Sequence, residues 1–315
     1  MKTFLSSILV AMCACGGPAA EPAGHVVTVL TVDWEGAYGA SDGQAALVEM
    51  QRELDGAPLT HFISAAYFTR EAPDPTVAPF LQEQARGGAE NAMHLHAWNS
   101  LVRAAEVTPR SSPSFMTGTD KVFKLETGED GFDIDLDAYD ASELRRMLRL
   151  SRARLERQGL AISHSFRAGG YLVSANLRHA LRAENYAVDS SAIDGREVNA
   201  TGFFAQRLRT LWPALDVTAP PREVDGLVEL PIAVVADYAT EAHIGEVLDA
   251  AVARLQRNPD RDVFVTIALH QETCVEFAAV VSKALVAARA RHGAATFLFT
   301  TVEKAAHLAT SRPNP

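Results

Sequence analysis

The side chains best suited to chemistry in this sequence are acids and histidines in closely spaced pairs. Asp33 and Glu35 stand one residue apart, and so do His94 and His96. Successive side chains of an extended segment alternate, so each pair projects from one side of a strand. Two carboxylates that close repel unless a cation or an arginine compensates them. One can then hold a metal while the other works as a base. Two imidazoles at strand spacing can share a borderline cation such as zinc. Each pair also has a plainer explanation: two solvated loop acids, or one buried histidine beside a surface one. Arg167 stands at the end of an expected strand, just before Gly169 and Gly170. Buried there it needs an acid partner, and the glycines permit close backbone approach; otherwise it reaches out to solvent. Asp189 precedes Ser190 and Ser191, where turn or cap chemistry explains it as well as function does. His270 ends a nearly continuous apolar run, which makes it a candidate general acid. Five strand ends would together carry Asp, Glu, His, His, Arg, Asp and His, the inventory of a hydrolytic metal site.

The elements that must position these groups alternate along the chain. Strands are expected at His25–Asp33, His61–Phe68, Ala92–Ala97, Ser163–Ala168, Tyr186–Asp189, Val228–Val234, Val263–His270 and Thr296–Thr300. Helices are expected at Gly43–Leu54, Thr76–Arg86, Asp140–Gln158, Ser174–Glu184, Glu241–Gln256 and Glu272–Arg291. The clearest is Asp140–Gln158, where Asp140 and Glu143 form a capping box ahead of the apolar stripe Leu144, Met147, Leu148 and Leu155. Such alternation predicts one parallel α/β domain, and about seven strands with following helices favour an incomplete or distorted (β/α) barrel. An open dinucleotide-binding sheet is disfavoured, because no glycine-rich fingerprint follows the first strand. Active sites of parallel barrels lie at the C-terminal strand ends, where the singled-out residues fall. Two long irregular stretches, Asn99–Tyr139 and Ile193–Asp225, are of a length usually reserved for function.

Of the 315 residues 48% are apolar, enough for a sizeable core, and the net charge is -10. That balance argues against nucleic acid or an anionic membrane surface as partner, because no basic run supplies phosphate contacts. Lys2, the apolar segment Phe4–Met12 and the small residues around Cys13 and Cys15 read as an export signal over residues 1–15. Cys15 after Ala14 resembles a lipobox, which would make the mature chain a membrane-anchored lipoprotein of a bacterial envelope, its only membrane contact a lipid on Cys15. The alternative is an ordinary cleaved signal, with a periplasmic or secreted product. Residues 16–24 read as a linker and 25–310 as the catalytic domain. Cys274 is then the one remaining cysteine; it reads as an ordinary helix residue, and stability must come from packing. The other histidines, His61 among them, read as structural or surface groups.

These segments resemble the polysaccharide deacetylases, the NodB-homology carbohydrate esterases. Thr31-Val32-Asp33-Trp34-Glu35 is similar to their first motif and Met93-His94-Leu95-His96-Ala97-Trp98-Asn99 to their second. Phe166-Arg167-Ala168-Gly169-Gly170-Tyr171 is very similar to the third, the run from Leu172 to Ser191 continues it, and Leu269-His270 looks like the fifth. The order and spacing agree from about Val26 to Thr301. The family usually has a second histidine four residues after the first, where this chain has Ser100. His94 offers a substitute, as in lipopolysaccharide-biosynthesis branches whose second motif reads similarly. The resemblance implies hydrolysis of acetyl groups from a cell-envelope or extracellular polysaccharide, with a divalent metal, zinc before others. It implies Glu35 and His96 as ligands, joined by His94, and Asp33 as the base toward metal-bound water, oriented by Arg167. Tyr171 would mark the oxyanion loop, Leu269 and Trp98 would shape the substrate site, and His270 would be the acid, tuned by Asp189. Two rivals stand beside it: a non-catalytic glycan-binding relic of the same fold, and a hydrolase of a non-sugar amide or ester.

Overall fold

The computed structural model describes residues 24–36, 41–70, 74–116, 129–213 and 215–311. The export signal and most of the linker lie outside them. Among the described residues ten strands form one sheet: β1 Val26–Trp34, β2 Leu59–Ser64, β3 Glu90–Leu95, β4 Ser165–Ala168, β5 Val188–Asp189, β6 Arg222–Val224, β7 Leu227–Glu229, β8 Val234–Val235, β9 Val263–His270 and β10 Phe297–Thr300. Nine helices accompany them among the described residues: α1 Ser41–Glu53, α2 Val77–Arg86, α3 Asn99–Ala104, α4 Ala141–Arg157, α5 Ala175–Ala183, α6 Gly202–Leu211, α7 Glu241–Arg257, α8 Cys274–His292 and α9 Val302–Ser311. No described helix is long and apolar enough to cross a membrane.

The strand order is β6-β7-β5-β4-β3-β2-β1-β9-β8, with β10 paired to the start of β1. All pairings are parallel except the β6–β7 hairpin. Chain connectivity forces this sheet to curl. β7 and β8 belong to opposite ends of the order, yet only Leu230–Ala233 separates them. Roughly 17 Å of extended chain can span that gap, so the two ends must face each other. The result is the incomplete parallel barrel expected from the alternation of elements. The expected single strand Val228–Val234 is therefore two strands serving opposite edges, a division invisible to local periodicity.

β1 is buried along its whole length, as a strand covered on both faces must be. Val27 and Val29 pack on one face with Phe62, Ala92, Val188 and Phe264, where α9 closes the bottom through Val302 and Ala305. Further up the same face the side chains turn polar, at Thr31 and Asp33. Leu30, Val32 and Trp34 join the larger core under the helices. There α4 contributes Leu144, Met147, Leu148 and Leu155, all buried, and its capping box is present in both directions. Truncating one of these, as in Met147→Ala, costs about 2–5 kcal/mol on ordinary cavity energetics.

The two irregular stretches are partly ordered into helices. The first contains α3, and the second contains α6 and β6. Strand limits also shift: β3 ends at Leu95, so His96 stands just past it, and β2 ends at Ser64 in a 3-10 turn over Ala65–Phe68. Cys274 begins α8 and is buried with a free thiol.

Candidate active site

Asp33 lies in the last turn of pleat of β1, in register with His270 at the end of β9. Arg167, on β4, is fully buried and reaches across to it: Nη1 donates to Asp33 Oδ1 and to Thr31 Oγ1, each at 2.7 Å. Nε donates to the Ser190 carbonyl (2.7 Å), Nη2 donates to Ser190 Oγ (3.0 Å), and the guanidinium lies over the Phe62 ring. A buried arginine is tolerable only when its fork is this well occupied. Asp33 keeps one oxygen on Arg167 while its other oxygen, Oδ2, has no hydrogen-bond partner.

Next to it are Glu35, His94 and His96. His94 Nδ1 donates to the Arg167 carbonyl (3.0 Å) and His96 Nδ1 donates to the Phe132 carbonyl (2.7 Å). A carbonyl only accepts, so both Nδ1 atoms carry hydrogen and both Nε2 atoms of the neutral rings present a lone pair. Those Nε2 atoms lie 3.5 Å from Glu35 Oε1 and 2.5 Å from Glu35 Oε2 respectively. Three lone-pair donors thus converge within 4.8 Å of one another. His94 Nε2, His96 Nε2 and Glu35 Oε2 are buried without a hydrogen-bond partner, which is the condition a cation would relieve. Without one, burial pushes the Glu35 carboxyl up but His96 and His94 outweigh it and hold it well below the carboxylate range. Burial likewise opposes charge on His96, and Glu35 reverses that into a raised pKa. The donor set fits a divalent metal. Gly169 is required beside it, since a Cβ there would sit 2.4 Å from His96 Nδ1. Trp98 donates from Nε1 to the Glu35 carbonyl (2.6 Å) and stacks on Phe132, so it braces Glu35 while lining the cavity. Ser100 is elsewhere: its hydroxyl is 3.0 Å from Thr69 Oγ1.

His270 completes the site. Its Nε2 lies 3.4 Å from Glu35 Oε1 and 3.4 Å from the Tyr171 hydroxyl. Its Nδ1 faces Asp237 Oδ2 at 3.0 Å. Asp237 is fixed in turn by the His270 backbone N–H and by the Thr273 hydroxyl. Burial would push the imidazolium pKa down, but Asp237 and then Glu35 raise it to about 10. Asp237 is held below its usual range, its burial outweighed by His270. The Tyr171 phenol is pushed well up by burial and by Asp33, so it stays protonated.

Two expected roles are corrected. Asp189 does not tune His270; Asp237 does. Asp189 is in register with Phe166 rather than Arg167, so alternation turns it to the other face of the sheet. Leu269 is fully buried one residue before His270, in register with Val32, and does not line the cavity. Asp33, Glu35, His94, His96, Trp98, Tyr171 and His270 all do, around a volume of about 590 Å³. The two irregular stretches supply much of the wall, Phe115 and Phe132 from the first and Phe204 from the second. Sequence reasoning missed Asp237 because the strand before it was not divided; in the turn that follows β8 it obeys the same strand-end rule as the others. It also missed Glu272, whose carboxyl lines the cavity without a hydrogen-bond partner and is pushed up to about 8 by burial and by Glu35.

No protein-family model matches this sequence, and no curated protein matches it. Solved structures do resemble it. A Mycobacterium smegmatis protein assigned as a polysaccharide deacetylase superimposes with a TM-score of 0.56 at 14% identity, covering 93% of this chain and 96% of that one. PuuE allantoinase superimposes with a TM-score of 0.54 at 11% identity, covering 98% and 100%. At such identities the likeness establishes the fold: a curled half-barrel of parallel strands, as in polysaccharide deacetylases of the NodB type.

Proposed function

We propose that the chain is an exported hydrolase that removes acetyl groups from a cell-envelope or extracellular polysaccharide. One observation carries the proposal. Around a single cavity, Asp33 has one oxygen tied to Arg167 and one free, while Glu35 stands within 3.5 Å of His94, His96 and His270. A base, a cation site and an acid are thus assembled from four strand ends, which glycan binding alone does not require. The branch proposed is the one with an HLHxW second motif, because His94 and not Ser100 joins Glu35 and His96.

Glu35, His94 and His96 would hold the metal, zinc by preference for two imidazoles and a carboxylate. Bound there, it supplies Lewis-acid polarisation of the acyl oxygen and acidifies water. Asp33 takes the proton of the attacking water at its free Oδ2, and Arg167 keeps the carboxylate aimed. The protonated Tyr171 phenol and the backbone of the Gly169–Gly170 turn face the developing oxyanion. His270 delivers a proton from Nε2 to the departing oxygen or nitrogen, and Asp237 holds the ring upright at Nδ1. The aromatic faces of Trp98, Phe115, Phe132 and Phe204 suit the apolar faces of sugar rings. The Cys13–Cys15 signal supports an exported location, anchored through a lipid on Cys15.

The test is Asp33→Asn against wild type on an acetylated chito-oligosaccharide and a simple acetyl ester. Turnover should fall by about a hundred- to ten-thousand-fold, with circular dichroism and metal content unchanged. A fully active Asp33→Asn protein would sink the mechanism.

A further inference from the structure

On the face of the sheet turned away from the cavity, two more carboxylates are buried side by side. Asp189 on β5 and Glu229 on β7 are register partners on adjacent parallel strands, 0% and 1% exposed. Their side chains are within hydrogen-bonding reach of each other. Asp189 Oδ2 and Glu229 Oε2 nevertheless have no partner, because two ionised carboxylates are both acceptors. The cations whose field reaches Asp189 are committed elsewhere: Arg178 of α5 to Asp225, Arg167 of β4 to Asp33. Arg222 of β6, in register with Glu229, is exposed at the edge. Two negative charges in this dry setting would repel strongly, and one proton between them makes a donor and an acceptor of the two orphan oxygens. Burial pushes both carboxyls up, Asp189 to about 6 and Glu229 well above its ordinary range.

The remaining oxygens of the pair hold the chain that follows β5. Glu229 Oε1 accepts from the backbone N–H of Ser191 (3.2 Å) and of Ala192 (2.8 Å). Asp189 Oδ1 accepts from Ser191 Oγ (2.6 Å), which itself accepts from the Ala168 N–H (3.0 Å). Ser190 points the other way and receives Nε and Nη2 of Arg167. The same two serines therefore join the buried acids on one face of the sheet to the guanidinium that aims Asp33 on the other.

We infer that Asp189 and Glu229 share one proton and act as positioning residues, holding Ser190 and Ser191 so that Arg167 presents Asp33 in working orientation. The inference rests on Asp33 being the base proposed above. The folded protein binds this proton more tightly than the unfolded chain does. Its contribution to stability is therefore complete at low pH and is lost as pH rises from about 4 through the raised range of the pair.

Wild type, Glu229→Gln and Glu229→Ala separate these claims. Gln keeps the oxygen that receives the two backbone N–H groups and gives Asp189 a permanent N–H donor. Thermal unfolding between pH 5 and 9 should show a decline in wild type that is largely absent in Glu229→Gln; parallel curves would overturn the shared proton. On an acetyl ester at pH 6, Glu229→Gln should keep most of the wild-type kcat. Glu229→Ala should lose about ten-fold or more in kcat with KM nearly unchanged, as expected for a misaimed base. Equal losses in both variants, or an intact kcat in Glu229→Ala, would overturn the positioning role. If wild type hydrolyses no acetyl substrate, the proposed function fails, and the unfolding curves still decide whether the pair holds a proton.

Discussion

Three histidines reach one cavity, and the partner behind each ring separates their work. His94 and His96 lean on backbone carbonyls, His270 on the Asp237 carboxylate. A carbonyl orients the ring and fixes its tautomer without adding a charge, and turns Nε2 toward Glu35. That arrangement suits the proposed metal ligands. A carboxylate adds a full charge behind the ring and raises its pKa, to about 10 at His270, which suits the proposed acid. The same side chain thus acquires opposite roles from an atom on the far side of the imidazole.

The contrast can be broken most severely from the ligand side. His96→Ala and His94→Ala should each reduce metal content from about one ion per chain to none, measured by elemental analysis after zinc loading, and acetyl hydrolysis should fall to background. Retention of metal in His94→Ala would remove that ring from the site. From the acid side, Asp237→Asn exchanges the charged backing for a neutral one. His270 should drift toward its ordinary pKa near 6.5, so at pH 8 only about 3% would remain protonated, a roughly thirty-fold loss that pH 6 restores. A pH–rate profile of the variant superimposing on wild type would contradict the assignment of His270 as acid.

A smaller effect belongs to stability. The pKa of folded His270 is raised to about 10, so its contribution is fully present below about pH 6.5 and is lost as pH climbs through 10. Asp237→Asn should therefore lower the melting temperature at pH 6 more than at pH 10. The least effect is expected of Tyr171→Phe, which removes one hydrogen bond worth about 1 kcal/mol, a five-fold reduction in kcat. A loss as large as that of Asp33→Asn would promote Tyr171 from the proposed oxyanion donor to an essential group.

Legibility in the sequence followed the range of the physics involved. β1 and β9, the α4 capping box and the parallel half-barrel were visible because short, nearly continuous apolar runs, caps and alternating elements are local signals. Asp33, Glu35, His94, His96 and His270 stood out for the same reason, each being a polar residue interrupting or ending an apolar run. Asp237 did not, since finding it required knowing that Leu227–Val235 feeds two opposite sheet edges. Asp189 was given the wrong partner because its face depends on its register against Phe166, a matter of pairing between strands 23 residues apart in sequence. The aromatic wall of Phe115, Phe132 and Phe204 belongs to stretches whose only local mark was their length.

What the sequence by itself determined is the kind of chemistry available: which acids and imidazoles stand at strand ends, and that alternation turns Asp33 toward Glu35's side and His94 toward that of His96. What only the tertiary structure decided is the state of each group. A carboxylate behind His270, carbonyls behind His94 and His96, and a second acid beside Asp189 all arrive from distant segments, because protonation in a buried site is set by the charges that folding brings within a few ångströms.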